Sequence, residues 1–167
     1  MITQAIFSNL LLFATVTTTL VAGLTLTFAV VIMPGIKKLC DAEFIRAFQV
    51  IDGIIQNGQP VFVLVWLGSI ISLLAAAGLG LWQLSGTGRW LLIAAATLYF
   101  LGVQLPTFTV NVPRNNELQQ LETRTMDDAS MQSARKHFEG TWNRWNVIRT
   151  WVAITVSVIL ILVFKTL

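Results

Sequence analysis

Charge is what this chain has least of. Of its 167 residues, 11% are Asp, Glu, Lys or Arg, less than half the roughly one quarter found in an average soluble domain. Hydrophobic residues make up 55%. That balance excludes a disordered chain, which needs low hydrophobicity and high charge, and it leaves too little polar surface for a soluble domain of this size. Cys40 is the single cysteine, so no intrachain disulfide framework exists. His137 is the single histidine, and neither an H-x-x-x-H nor a C-x-x-C spacing occurs, so no metal site is expected. A G-x-S-x-G nucleophile elbow is also missing. The net charge of +3 is spread over loops and makes no basic patch suited to nucleic acid.

The few charges are grouped. Seventeen of the 19 fall within residues 37–52 and 114–149, and Arg89 and Lys165 stand apart. The charge-free stretches between them are long enough to cross a bilayer, which takes about 20 apolar residues. Four spans are predicted, over about 8–32, 61–83, 90–110 and 146–165. The first is read as a retained span rather than a cleaved signal peptide. It has no positive residue before it, is too long for a signal core, and is followed by no small-residue cleavage site. The charge-free part of the fourth, 150–164, is short at about 22 Å, so Trp145, Asn146 and Arg149 are expected at or below the membrane surface.

Four spans put loops 34–60 and 111–145 on one side. Those loops carry eight Lys or Arg residues against two on the other side. The positive-inside rule places them in the cytoplasm and both termini outside, in the plasma (inner) membrane. Residues 41–57 read as an interfacial helix with an apolar stripe of Phe44, Ala47, Phe48, Ile51, Ile54 and Ile55, and with Arg46, Gln49, Asp52 and Gln56 opposite. Residues 114–140 read as a helical loop, with helices capped at Asn115 or Asn116 and at Asp127 or Asp128 and a bend at Gly140. Small residues recur every four positions at Thr15, Thr19, Gly23 and Thr27, and again at Gly68, Ser72, Ala76 and Gly80. They predict opposed packing seams, or equally a homo-oligomer contact. Threonines in such a stripe can instead bond their own helix. The fold class is therefore all-α: a four-transmembrane-helix bundle in one domain, with an interfacial amphipathic helix and a helical cytoplasmic loop, in contact with membrane lipid.

Several short motifs sit at the charged end. They are Met33-Pro34-Gly35, Phe48-Gln49 with Ile51-Asp52, Asn57 with Pro60, Asn111-Val112-Pro113-x-Asn115-x-x-Leu118, and Trp142-x-x-x-Asn146-x-x-Arg149-Thr150. In order and spacing the chain resembles the DUF1772 family of small four-helix membrane proteins, which includes the anthrone-oxygenase-like proteins. Asp52 stands where that family often has Asn. The resemblance implies a cofactor-independent oxygenase, of the kind that converts an anthrone to an anthraquinone.

The topology alone brings these residues to one end of the bundle, where one pocket is expected. Arg149, Asn146, Asn111, Asn115, Trp142, Gln49 and Gln104 are its candidate binding residues for a small hydrophobic ligand. Amides donate and accept hydrogen bonds, guanidinium pairs with an enolate or carboxylate, and indole stacks. His137 and Asp52 are the candidate bases. Asn111 and Asn146 can alternatively satisfy backbone groups freed by Pro106 and Pro113. Three functions are compatible with this pattern: an oxygenase or related redox enzyme on a hydrophobic aromatic substrate, with no cofactor expected; a binding protein for a lipid, quinone or haem; and, last, a small transporter, for which no span carries an acidic residue to couple ions.

Overall fold

A computed structural model describes residues 2–167, and every element in it is helical. The order is α1 (Ile2–Thr27), a π-helical turn π1 (Phe28–Ile32), α2 (Met33–Ile36), α3 (Asp41–Gln56), α4 (Pro60–Gln83), α5 (Gly86–Tyr99), π2 (Phe100–Gln104), π3 (Thr107–Asn111), α6 (Val112–Gln119) and α7 (Asp128–Phe164). Four continuous helices are long and apolar enough to cross a membrane: Thr3–Ile36, Pro60–Gln83, Gly86–Gln119 and Asp128–Phe164. The first, third and fourth exceed their expected bounds. At 34 residues the third is about 51 Å long, and at 37 residues the fourth is about 55 Å, against a hydrocarbon core of about 30 Å. Their surplus length carries the charges out of the membrane at one end.

Two expectations for the loop are corrected. The helix after span three is α6, which continues that span and ends at Gln119; Asn115 and Asn116 lie inside it and cap nothing. Asp127 caps helix α7 as expected, its carboxylate accepting from the Ser130 N–H at 2.7 Å, but the helix runs unbroken through Gly140, the site of the expected bend. Nothing crowds Gly140, so no steric contact forces a bend there.

Prolines explain the π turns. Pro34, Pro106 and Pro113 each stand two positions after the last residue of a π turn. A proline ring clashes with the carbonyl four residues earlier and offers no N–H. In each case the residue just before the proline bonds five residues back instead: Met33 to Phe28, Leu105 to Phe100 and Val112 to Thr107. Met33-Pro34-Gly35 therefore does not stop the helix: the turn before it widens, and the chain stays helical to Ile36.

Helix α1 packs on α4 and α7, and α5 packs on α7 and, less extensively, on α4. Of the two small-residue stripes, Ser72, Ala76 and Gly80 of α4 do face inward. The α1 stripe does not: Thr19, Gly23 and Thr27 are exposed, and the inward face runs through Phe7, Leu11, Ala14, Thr18, Val21 and Thr25. The stripe hydroxyls need no partner helix, because Thr15, Thr19 and Thr27 each donate to the carbonyl four residues back at 2.8 Å.

Gly80 of the α4 stripe is in close contact with Leu92, and Gly102, outside both stripes, is in close contact with its own neighbour. A β-carbon at Gly102 would lie 2.8 Å from Cγ1 of Val152 on α7. Gly102→Ala is expected to destabilise the protein by about 1–3 kcal/mol through overpacking. Gly23→Ala, with open space around it, should stay within about 0.5 kcal/mol. Thermal unfolding in detergent compares the two.

The core has two parts. One, in the spans, is built around Phe7, Leu11, Leu73, Leu92, Tyr99 and Leu160. The other joins α3 to the protruding ends of α6 and α7 through Phe44, Ile45, Phe48, Leu118, Phe138 and Trp142. Arg135 clamps this cap. Its guanidinium donates to the carbonyls of Lys37 and Leu39 and to Asp41 and Glu139, and it lies 4.4 Å over the Phe44 ring. The polar face expected of α3 is corrected here. Gln49 and Asp52 are buried, while Ile54 is exposed, because α6 lies against the side that the sequence pattern assigns to water.

Candidate functional site

Between the two cores lies a cavity of about 230 Å³. That exceeds the roughly 150 Å³ that holds a benzene ring in an engineered protein core. Aromatic residues from every layer form its walls: Phe28 on π1, Phe48 on α3, Phe62 and Trp66 on α4, Phe108 on π3 and Trp142 on α7. Three of these rings, Phe28, Phe48 and Trp142, make a contiguous group with centroids 5.5–5.6 Å apart across the Trp142 pairs.

Arg149 lies on one wall and is 5% exposed. It donates from one terminal nitrogen to Thr107 Oγ1 at 2.8 Å and from the other to Asn146 Oδ1 at 3.0 Å. Its Nε–H has no partner. Both acceptors are neutral. Among the described residues the salt bridges are Arg135 with Asp41 and with Glu139, and His137 with Glu117, so no carboxylate pairs with Arg149. Asn146 is fixed in turn by donating to the Thr25 carbonyl at 3.0 Å. Asn111 donates to the Trp142 carbonyl at 3.2 Å, and its buried Oδ1 is unpartnered. A buried cation is ordinarily paired or coordinated. This one has spare hydrogen-bonding capacity beside an empty volume, which suits an anionic or strongly polarised oxygen.

Asp52 lines the same cavity from the roof and is 2% exposed. Oδ1 accepts from Asn115 Nδ2 at 2.8 Å, and Oδ2 accepts from Gln56 Nε2 at 2.7 Å and Gln119 Nε2 at 3.0 Å. Burial pushes the Asp52 carboxyl above the ordinary carboxylate range, although the three amide donors favour its anion. The amide of Asn115 has one possible orientation, because its Oδ1 accepts from Trp142 Nε1 at 2.7 Å. Asp52, Asn115 and Trp142 therefore form a directed chain from the roof to the cavity wall.

Of the sequence-predicted residues, Arg149, Asn146, Asn111, Asn115, Trp142 and Asp52 all meet at the cavity. Gln49 does not line it. Its amide donates to the carbonyls of Leu118 and Leu121, tying α3 to the end of α6. Gln104 lies behind Trp66 and accepts from its Nε1 at 3.1 Å. Seven α-helical residues would align Gln104 with Asn111, but π3 intervenes and turns them apart. The His137 side chain is 67% exposed and 3.6 Å from Glu117 on the outer cap, and it does not line the cavity. Sequence reasoning misses Thr25, Phe28, Trp66, Thr107 and Phe108, since an aromatic or a threonine in an apolar run is ordinary. Only the π turn two residues ahead of each proline marks three of those positions.

Residues 53–159 match the family model described as anthrone oxygenase, and that range holds Asn111, Asn115, Trp142, Asn146 and Arg149. Searches of curated proteins and of solved structures find no match. With well over half of its length matched and the motif residues gathered at one cavity, this membrane protein belongs to the anthrone oxygenase family.

Proposed function

We propose that the protein is an oxygenase acting on a planar, hydrophobic aromatic substrate of the anthrone type, using residues of the chain and needing no cofactor. The observation that carries this reading is an unneutralised Arg149 on one wall of a cavity and a buried carboxylate, Asp52, in its roof. Asp52 accepts a proton from the acidic ring methylene. The resulting enolate oxygen is held by Arg149 and by neighbouring amides, a charge stabilisation that a fixed guanidinium supplies best in a dry site. The carbanionic carbon adds to dioxygen, the peroxide takes the proton back, and loss of water leaves the ketone. The balance is R₂CH₂ + O₂ → R₂C=O + H₂O, with dioxygen as the sole co-reactant. In this reading the charged end faces the cytoplasm.

The aromatic walls and polar groups would equally hold a quinone without turning it over, which makes a binding protein the second reading. An oxygen electrode separates them. Protein in lipid nanodiscs is expected to take up one dioxygen per anthraquinone formed from anthrone, well above the spontaneous rate. Saturable anthrone binding with uptake at the spontaneous rate would leave the binding protein standing.

A further inference from the structure

The cavity has two unlike sides. Towards the charged end it is roofed by α3, which is tied to α6 through Asp52, Gln49 and Gln119. Between α4 and span three it is not closed. Phe108 and Val112 line the cavity and are nevertheless 58% and 37% exposed. Facing them on α4 are Phe62 and Trp66, stacked at 5.3 Å with 16° between their planes. Helix α4 packs on α5 but not closely on π3, so beyond the Trp66–Gln104 hydrogen bond the two spans part. The exposed side chains nearby in sequence on the two spans are hydrocarbon: Leu64 and Leu67 on α4, Leu101 and Leu105 on span three. No charged residue occurs in 53–88 or 90–113.

An opening rimmed by aromatic and aliphatic side chains offers nothing to a hydrated solute. It also lies along the apolar length of two spans. We infer that this gap is a lateral portal, through which planar aromatic molecules dissolved in the bilayer reach the Arg149 wall, and that Phe108 and Val112 set its width. What passes rests on the proposed function; the route does not.

The test uses the full chain in lipid nanodiscs, carrying Cys40→Ser and Thr25→Cys. Thr25 is buried and lines the cavity, and the replacement is nearly isosteric. Intact-mass spectrometry tracks modification of the introduced thiol by N-phenylmaleimide and by a sulfonated, bilayer-impermeant maleimide. The apolar reagent should react at least tenfold faster. Adding Val112→Trp should slow it at least tenfold, and adding Phe108→Ala should speed it. Equal rates for the two reagents, or a thiol inert to both, would overturn the portal. So would an unchanged rate with Val112→Trp, which would move the route to the groove between α1 and α4 that shares Leu24 and Phe62 with the cavity. If Val112→Trp does not fold, an unchanged rate with Phe108→Ala overturns it instead. The labelling requires neither dioxygen nor turnover. Protein that labels as expected yet oxidises no anthrone keeps the portal and loses the oxygenase reading.

Discussion

Replacing Arg149 with Met is expected to slow anthrone oxidation by about 10²- to 10³-fold, the usual cost of removing one group that stabilises an oxyanion. The thermal midpoint should barely move. Exchanging a buried, unpaired charge for an apolar side chain of similar length relieves a desolvation cost of about a few kcal/mol. Against that, Asn146 Oδ1 loses its donor, at about 1–3 kcal/mol. Thr107 keeps its own bond to the Val103 carbonyl at 2.7 Å. The two effects offset. Because the substrate becomes anionic only on the way to the transition state, the loss should fall on kcat with KM little changed. Turnover and unfolding are measured on the same preparation. A large drop in stability with turnover intact would make Arg149 a packing residue.

Asp52→Asn is expected to lower turnover by about 10²-fold or more, within the range for a lost general base. Wild-type turnover should rise with pH as the carboxyl, held above its ordinary range by burial, becomes ionised; the variant should lack that limb. Stability runs the other way. A carboxyl whose folded pKa is raised contributes stability that is complete below its unfolded pKa and is lost as pH rises through the folded one. Relative to Asp52→Asn, the wild type should therefore be most stable in acid and lose that advantage towards neutral pH. The amide cannot reproduce every bond. Asn115 is held by Trp142 and Gln119 Nε2 also donates to the Gln49 carbonyl, so whichever way the new amide turns, one donor would face another. A pH series of turnover and of thermal midpoints checks both halves. Turnover that survives unchanged would remove Asp52 from the chemistry.

Much of this is legible in the sequence, for a simple reason. Charges cannot stay in hydrocarbon, so their grouping marks the spans, and four spans force loops 34–60 and 111–145 to one end. Polar residues at helical spacing near that end, Asn111 and Asn115 on span three and Trp142, Asn146 and Arg149 on span four, then have to converge. The hidden part depends on neighbours. Helix α3 reads as amphipathic, but Gln49 and Asp52 are buried because α6 supplies the carbonyls and amides they need. Helix α1 shows a small-residue stripe, but its threonines bond their own backbone, and that leaves the stripe free to face outward. His137 is the only imidazole, and scarcity alone makes it a candidate. Its place on the unbroken helix α7 puts it on the outer surface.

The prolines carry one more consequence. Each widened turn adds a residue to its helix without adding a full α-helical step, so it acts as a phase shift between the membrane part of the helix and its protruding end. In span three, π3 sits between Pro106 and Pro113, and Asn111, Val112 and Asn115 take their bearing from it. Pro113 would still impose a widened turn, so deleting one residue from 107–111 would take out one ordinary helical step, rotate everything beyond by about 100° and swing Asn115 away from Asp52. Span length and hydropathy would hardly change. Such a chain would still insert and keep its helix content, but Leu118 would turn out of the cap core and the chemistry would be out of register.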